Sequence, residues 1–277
     1  MTATGPNRFR SALITGASSG IGAAFAPLLP PPTALLLTGR DPDALERVRA
    51  ALPAPERVTL LVADLRLPAE RARVIAAAEA ARIDLLINNA GLGAFGPVVD
   101  NDPALEAAMA EVNVVAPVVL TRALLPGMLA RARAPDSTKT GARGGIIIVS
   151  SVAGFAPMAR LATYAATKAF DLHYAEALAT ELAHEPIDVL ALCPGATRTA
   201  FQTRAGLPGG TPMSHSAERV AADGLAALGK RTVHVVGGAN HAAALGLRLL
   251  PRPLILKSVA AVNARLARKP KHSESGE

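Results

Sequence analysis

Short, continuous apolar runs alternate along the first 240 residues with longer Ala- and Leu-rich segments that have helical spacing. The runs predict seven strands, at 11–15, 33–39, 57–63, 83–88, 145–150, 187–192 and 231–236. Strands that are apolar throughout and separated by helices are typical of a parallel sheet covered on both faces. We therefore predict a single α/β domain with a doubly wound, mainly parallel seven-stranded sheet. Its ligand cleft should lie at the carboxyl ends of the strands.

A glycine-rich segment follows the first predicted strand and leads into a helix. Residues 15–22 read Thr-Gly-Ala-Ser-Ser-Gly-Ile-Gly. Glycines at such a turn let the backbone fold tightly and let a diphosphate approach the free N–H groups of the helix N-terminus. The position after the first strand indicates a dinucleotide site of a Rossmann-type fold rather than a turn without a ligand. The predicted contacts are Gly16, Ser18, Ser19, Gly20, Ile21 and Gly22.

The ends of the next three strands supply further candidate contacts for the same nucleotide. Arg40 follows the second strand, at the place where many dinucleotide folds have an acidic residue on the adenosine ribose. Asp41 lies further out and precedes Pro42, as at a helix start. We therefore predict NADP(H), with Arg40 accommodating the 2′-phosphate. Contacts are also expected from Asp64, Leu65, Asn89, Ala90 and Gly91.

The candidate chemistry lies in an alanine-rich segment that we expect to be helical. Tyr164 and Lys168 stand four residues apart in it, so their side chains share one helix face. An ammonium close to a phenol favours the ionised phenol, which suits it to proton transfer near neutral pH. Taken alone, such a pair would be two polar residues on a half-exposed helix. Its significance depends on the motifs before and after it.

Five motifs follow one another in order. They are Thr-Gly-x-x-x-Gly-x-Gly at 15–22, Asn-Asn-Ala-Gly at 88–91, Ser151 thirteen residues before the tyrosine, Tyr-x-x-x-Lys at 164–168, and Pro194-Gly195 after the sixth strand. With this set the chain resembles the short-chain dehydrogenase/reductase family, over roughly residues 11–200. One departure is Ser19, at a position that is often basic in NADP-using relatives, which leaves most of the phosphate recognition to Arg40.

The resemblance implies hydride transfer between NADP(H) and a carbonyl/alcohol pair. It implies that Tyr164 is the general acid or base, and that Lys168 assists it and binds the nicotinamide ribose. Ser151 would hydrogen-bond the substrate oxygen, with Ser150 as its rival, and Asn113 would hold a water that links Lys168 to solvent. Pro194, Gly195, Thr197 and Thr199 match family positions at the nicotinamide end.

The expected substrate pocket is apolar. Segments 92–98, 153–163 and 200–215 should wall it, and they contribute Phe95, Phe155, Met158, Leu161, Phe201, Leu207 and Met213. Such a wall suits an apolar ketone or aldehyde, with a lipid-like or acyl-chain substrate as one form of it, although several of these side chains would equally pack a lid. We expect that lid at about 199–216.

Composition and charge narrow the function classes. The net charge of +7 is concentrated at the end of the chain, where residues 241–277 carry seven Lys or Arg against two Glu, or 7 − 2 = +5. With no DNA-binding motif, nucleic acid is not an expected partner.

The histidines have no metal-ligand spacing, so no metal is predicted. One cysteine and no apolar leader indicate a cytoplasmic protein. We also expect a homo-oligomer, a dimer or tetramer.

The chain should therefore divide into a catalytic domain at 1–240, a basic helical extension at 241–269 and a disordered tail at 270–277. In the extension, residues 254–268 place Ile255, Val259, Val262 and Leu266 on one helical stripe. This helix either caps the substrate cleft or a partner subunit, which we favour, or lies on an anionic membrane surface. Residues 131–145 predict a mobile, solvated loop. Two alternatives to a carbonyl reductase stay open: a non-catalytic NADP(H)-binding module, and a membrane-associated reductase of lipid-type ketones.

Overall fold

The computed structural model describes residues 9–135, 143–207 and 214–267. Seven strands form one parallel sheet in the order β3-β2-β1-β4-β5-β6-β9. This arrangement confirms the predicted doubly wound, Rossmann-type α/β fold. The strands are β1 (Ser11–Thr15), β2 (Ala34–Gly39), β3 (Val58–Val62), β4 (Leu85–Asn88), β5 (Gly144–Val149), β6 (Ile187–Cys193) and β9 (Val233–Val235).

Helices connect the strands and cover both faces of the sheet. They are α1 (Gly20–Phe25), α2 (Pro42–Ala50), α3 (Pro68–Ala80), α4 (Pro103–Ala110), α5 (Ala116–Ala132), α6 (Ala162–Glu181), α7 (Ala200–Arg204), α8 (Ala217–Ala227), α9 (Gly238–Leu249) and α10 (Arg252–Ala267). Short 3-10 turns add Ala26–Leu28, Pro55–Arg57, Val98–Asp100 and Val152–Phe155, and a π-helical turn, Glu111–Val115, joins α4 to α5.

The sheet is buried on both faces because its central strands are apolar at nearly every position. Successive residues of a strand point to opposite faces. Ile14 and Ile147 accordingly belong to one core cluster, whereas Leu13 and Ile146 belong to the other. The cores hold mainly Leu, Ile, Val and Ala, which pack closely between helices and sheet.

A second, two-stranded sheet joins the two ends of the predicted lid. Strand β7 (Thr197–Arg198) pairs in parallel with β8 (His215–Ser216). Between them lies α7, and residues 208–213 are outside the described part of the chain. The pairing holds the ends of the lid segment together beside the carboxyl ends of β5 and β6. The hydrophobic pattern of the sequence did not predict these two strands.

One helical stretch, Pro103–Ala132, is long and apolar enough to cross a membrane, with a mean hydropathy of 1.6 in its most apolar window. It comprises α4, the π-helical turn and α5. In its most apolar part, 44% is buried inside the protein. The stretch also includes Asn113, whose polar side chain is fully buried. We interpret the stretch as a core helix of the domain.

Two boundaries differ from the sequence-based expectations. In the segment predicted as a solvated loop, Arg131 and Ala132 still belong to α5, and β5 already begins at Gly144. Arg131 also donates to the carbonyl oxygen of Ile83, so the helix end is attached to the sheet. Residues 136–142 lie outside the described part. The expected division after residue 240 falls inside α9, whose Asn240 packs against Gly195. The expected disordered tail, 270–277, is outside the described residues.

Candidate active site

A cleft of about 690 Å³ lies at the carboxyl ends of the strands. This volume is within the range typical of cofactor and ligand sites. One end is lined by the glycine-rich turn and by the ends of β2 and β3, and the other by the ends of β5 and β6, by α6 and by the lid. Most of the predicted site residues line it: Gly16, Ser18, Ser19, Gly20, Ile21, Arg40, Asp64, Leu65, Asn89, Ala90, Gly91, Ser151, Tyr164, Lys168, Pro194, Gly195, Thr197 and Thr199.

Gly22 and Asn113 do not line the cleft but lie directly behind it. A Cβ on Gly22 would stand 2.3 Å from the carbonyl oxygen of Gly16 and 2.4 Å from Nδ2 of Asn89. No side chain fits there. The glycine therefore lets α1 approach the turn closely, which is a packing role rather than a ligand contact.

The glycine-rich turn is held in place by the segment after β4. Asn89 Nδ2 donates to the carbonyl oxygens of Thr15, at 2.9 Å, and Gly16, at 3.3 Å. Thr15 Oγ1 accepts from the backbone N–H groups of Asn89 and Ala90. Gly16 has φ +64, the left-handed region that favours glycine, and Gly20 has φ +58. The segment after β4 therefore packs beside this turn and fixes it.

Two cations with different surroundings lie at the outer end of the cleft. Arg66 donates to both carboxylate oxygens of Asp64, with Nε 2.8 Å from Oδ2. The hydrogen bonding to Arg66 keeps the pKa of Asp64 below its ordinary value, although burial of the carboxylate acts to raise it. Arg40 is exposed and makes no ion pair with the described residues, so its guanidinium is available to a ligand. Asp64 is thus already engaged by a protein cation.

Lys168 is nearly fully buried at the opposite end of the cleft. Its Nζ donates to the carbonyl oxygen of Val149 at 2.8 Å and to Oδ2 of Asp171 at 2.9 Å. Burial disfavours the ammonium, but the negative charge of Asp171 and the influence of Tyr164 outweigh it, so the pKa of Lys168 is raised. Asp171 was not among the predicted site residues.

The two neighbouring serines at the end of β5 have separate functions in the fold. Ser150 Oγ donates to the backbone carbonyl oxygen of Lys168 at 2.7 Å, which ties the strand to α6. Ser151 Oγ accepts from the N–H of Ala153 at 3.1 Å and makes only a long, 3.4 Å bond to the carbonyl oxygen of Pro194. Because Ser150 is committed to α6, Ser151 is the better placed of the two to bind a ligand.

Asn113 sits in the π-helical turn and is fully buried. Its Nδ2 donates to the carbonyl oxygen of Leu92 and to Thr167 Oγ1, both at 2.9 Å, while its Oδ1 accepts from the N–H of Leu92 at 2.8 Å. The side chain therefore connects the segment after β4 to α6. Both amide protons are used within the protein, and π-helical turns are frequent at functional sites.

The phenol of Tyr164 is half-buried and lies against the lid. Its ring contacts the ring of Phe201 with centroids 5.6 Å apart. The expected wall residues Phe95, Met158, Leu161, Phe201 and Leu207 line the cleft. Phe155 does not, because it packs against the hydrophobic core instead, which corrects that expectation. Met213 lies outside the described residues.

The nicotinamide end predicted from the motif after β6 is joined to the lid. Thr197 Oγ1 donates to the carbonyl oxygen of Gly195 at 3.1 Å, and Thr199 caps α7 through the N–H of Phe201. A Cβ on Gly20 would meet Thr199 at 3.0 Å. The base of the lid therefore touches the glycine-rich turn.

Four charged residues in or beside the cleft were not predicted, and one of them, Asp102, lines it at the start of α4. Asp171 and Arg66 are described above, and Arg204 on α7 lines the cleft and donates to Ser19 Oγ at 3.1 Å. A signal existed for Asp171, because it is one helical turn beyond Lys168 on the stripe that begins with Tyr164. No pattern indicated Arg204, since its neighbour Ser19 is 185 residues away in the chain.

The residues present fit a nicotinamide dinucleotide. The turn at 15–22 leaves a cradle that side chains at its glycines would fill, with a cation at the outer end of the cleft and a buried lysine at the inner end. Among the described residues, no three His, Cys, Asp or Glu side chains are grouped as a metal ion would require.

Comparisons with known proteins agree with this geometry. The family model described as short chain dehydrogenase matches residues 10–207. Dehydrogenase/reductase SDR family member 7B of Bos taurus is 33% identical, over 94% of this chain and 83% of its own length. A short-chain dehydrogenase from Sphingobium yanoikuyae, solved in complex with NADPH, has a TM-score of 0.71 and 30% identity, covering 96% of this chain and 98% of that one.

A third relative widens the range of cofactors and substrates among similar structures. The 3-ketoacyl-(acyl-carrier-protein) reductase from Brucella melitensis, solved in complex with NADH, has a TM-score of 0.69 and 27% identity. The alignment covers 83% of this chain and 98% of that one. The ordered motifs, the fold and the cleft lead to one conclusion: this chain is an oxidoreductase of the short-chain dehydrogenase/reductase family.

Proposed function

We propose that this protein interconverts a carbonyl and a secondary alcohol on an apolar substrate, using NADP(H), with Tyr164 as general acid and base. The observation that supports it best is the single cleft that joins the glycine-rich turn and Arg40 at one end to Ser151, Tyr164 and Lys168 at the other. A nucleotide-binding module without catalysis would not require the phenol, the hydroxyl and the buried ammonium beside the apolar wall.

Each residue then has a definite task. The nicotinamide cofactor supplies or accepts the hydride when it is bound. Tyr164 gives its phenolic proton to the substrate oxygen in reduction and takes it back in oxidation. Ser151 donates to the same oxygen and stabilises the charge that develops there. Lys168 provides a positive charge near the phenol, and Asn113 holds the segment after β4 against α6 so that these groups stay aligned.

The proposed preference for NADP(H) depends on free positive charge at the outer end of the cleft. Arg40 makes no close ion pair with a described residue, although its charge helps to lower the pKa of Asp64, whereas Arg66 is hydrogen-bonded directly to that carboxylate. Arg204 adds a second cation, held at the glycine-rich turn by Ser19. A 2′-phosphate would complete the hydrogen bonds of Arg40, and NADH has no such group. Because similar structures contain either cofactor, this preference is tested separately from turnover, by substitution of Arg40.

The proposed substrate class follows from the inner wall. Phe95, Met158, Leu161, Phe201 and Leu207 surround the approach to Tyr164 with apolar surface. Such a wall favours a ketone or aldehyde that carries an extended apolar group. The name of the Brucella protein indicates a ketone on an acyl chain, which is in accord with this proposal.

The test measures turnover of a panel of ketones and aldehydes of increasing apolar size. The readout is the decrease in NADPH absorbance. We expect turnover that rises with apolar size and falls for charged carbonyl compounds. NADPH binding, measured by its fluorescence, should be seen whether or not a substrate is present. Binding with no turnover on any carbonyl compound would instead favour the non-catalytic module.

A second candidate function concerns the C-terminal helices. Leu245, Leu249, Leu250, Leu254 and Leu256 are all about half exposed or more, and Arg252 and Lys257 are exposed between and beside them. No described residue of α9 or α10 lines the cleft, which speaks against a cap on it. We propose that this surface lies on an anionic membrane, as apolar and basic residues on one helical segment do.

Vesicle co-sedimentation tests this candidate. The full chain should bind vesicles that contain phosphatidylserine and not vesicles of phosphatidylcholine alone, and deletion of residues 251–277 should abolish binding. If instead the deletion changes the number of subunits per particle in solution and vesicles bind neither form, the surface contacts a second copy. A homo-oligomer and a cytoplasmic location stay part of the proposal, the latter in accord with the single, buried Cys193.

A further inference from the structure

The ion pair between Lys168 and Asp171 is the most deeply buried charged pair among the described residues. The two side chains are 6% and 2% exposed, whereas in every other ion pair between described residues at least one partner is more than a fifth exposed. The second carboxylate oxygen, Oδ1, is buried and has no hydrogen-bond partner among the described residues. This is an unusual place for a carboxylate, because burying a charge is unfavourable unless it is paired and hydrogen-bonded.

Stability alone does not account for such a pair. A buried ion pair often contributes no more than apolar residues of the same size would, because desolvation offsets the attraction. Removing one partner, however, leaves an uncompensated charge. The location of the pair is therefore informative: Tyr164, Lys168 and Asp171 form one stripe along α6, at positions i, i+4 and i+7, which begins in the cleft and ends in the core.

Few titratable groups face Lys168. From its own helix they are Tyr164 and Asp171, and from β6 it is Cys193. The end of β5 and the π-helical turn contribute the uncharged Ser150 and Asn113, and Glu111 of that turn is paired with Arg71 on its far side. Among the described residues, Asp171 is thus the one carboxylate in hydrogen-bond contact with the ammonium.

We propose that Asp171 is a positioning residue for the reaction: it keeps Lys168 charged inside the protein and fixes its Nζ against the end of β5, beside Tyr164. This rests on the proposed function in so far as Tyr164 and Lys168 serve catalysis. Burial by itself would favour the neutral amine, and the carboxylate reverses that preference. The dependence is mutual, because burial raises the pKa of Asp171 and Lys168 opposes this.

The first measurement uses stability and needs neither substrate nor cofactor. The single variants are Asp171→Asn, Asp171→Glu and Lys168→Met, and the double variant combines Lys168→Met with Asp171→Asn. The control is Asp223→Asn, which breaks the ion pair between Asp223 and Arg219 outside the site. In Asp171→Asn the folded state should prefer the neutral lysine, so the unfolded chain binds more protons. The gap in Tm between wild type and this variant should therefore narrow as pH rises from 7 to 10.

The double variant has no amine to titrate, so its Tm difference from wild type should be independent of pH over the same range. It should also be more stable than Asp171→Asn at pH 7, since no unpaired charge is buried. Should Asp171→Asn not fold, Lys168→Met carries the test: its unpaired buried carboxylate should have a raised pKa, so the stability of this variant relative to the double variant should fall as pH rises from 5 to 8. Tm differences that stay parallel at all pH values would overturn the proposed coupling of charges.

The second measurement asks whether the charge matters at the cleft. For Asp171→Asn, the Kd for NADPH, measured by fluorescence, should rise with pH once Lys168 loses its proton, by at most about tenfold per pH unit. Wild type, Asp171→Glu and Asp223→Asn should show little change between pH 7 and 9. A Tm gap that narrows with pH together with an unchanged Kd profile would show a purely structural pair and overturn the positioning role. A failure to reduce any carbonyl compound would count against the proposed function and leave both of these measurements valid.

Discussion

The two ends of the cleft use the same kinds of side chain in opposite settings. At the inner end, Lys168 and Asp171 are buried and paired, and Asn113 and Ser150 have their hydrogen bonds within the protein. At the outer end, Arg40 is exposed without an ion pair among the described residues, and Asp64 and Arg66 pair at the surface. A buried charge must be matched within the fold, whereas an exposed one is matched by water or a ligand.

This difference separates chemistry from recognition. At the inner end the phenol of Tyr164 lies beside side chains that are fixed by hydrogen bonds, and the proposed proton transfer requires such an arrangement. The outer end leaves a charge available for a group that only some cofactors carry. Substitutions at the inner end should therefore have large effects on turnover, and those at the outer end should have moderate effects on cofactor choice.

The largest effect is expected for Tyr164→Phe, which removes only the transferable proton. Positioned acid–base groups contribute about 10²- to 10⁴-fold, so kcat should fall by about that factor while the Kd for NADPH stays nearly unchanged. The matched control is Tyr174→Phe on the same helix, whose ring stacks on Phe170 away from the cleft. A Tyr164→Phe variant that retains most of its kcat would remove this residue from the mechanism.

A moderate effect is expected for Arg40→Ala. A hydrogen bond to a charged group contributes about 1.5–3 kcal/mol, and exposure places this one at the lower end, so kcat/KM with NADPH should fall about tenfold. The value with NADH should hardly change. Arg47→Ala, which removes an exposed cation from α2, is the control. Wild-type protein that prefers NADH, or an unaltered ratio between the cofactors in Arg40→Ala, contradicts the proposed role of Arg40.

The smallest effect is expected for Arg66→Ala, because exposed ion pairs contribute about 1 kcal/mol or less. Its hydrogen bond lowers the pKa of Asp64, so the stabilisation is present above the unfolded pKa of about 3.9 and is lost as pH falls through the folded value. The Tm difference from wild type should thus be small at pH 7 and vanish as pH falls through the folded pKa of Asp64. Arg73→Ala, which breaks the surface pair with Glu70, is the control. A large loss of stability at pH 7 would mean that the outer end is as tightly matched as the inner one.

Sequence patterns predicted the strands well because the signal is local. All seven predicted strands are present, and the first coincides with Ser11–Thr15. The motif residues gather at one cleft because the carboxyl ends of parallel strands share one edge of the sheet. The prediction for Phe155 was wrong for a different reason. An apolar residue beside a site can face the cleft or the core, and the residue type alone does not distinguish the two.

The sequence by itself thus determined the fold class, the family and the position of the cleft, because strand periodicity, turn glycines and helical spacing are properties of neighbouring residues. Only the tertiary structure decided which charges are free. Asp171 pairs with Lys168, Asp64 is occupied by Arg66, and Arg204 reaches Ser19 across 185 residues. Burial and pairing depend on what the rest of the chain places around a side chain, and the free energy of a charge depends on that environment more than on its position in the sequence.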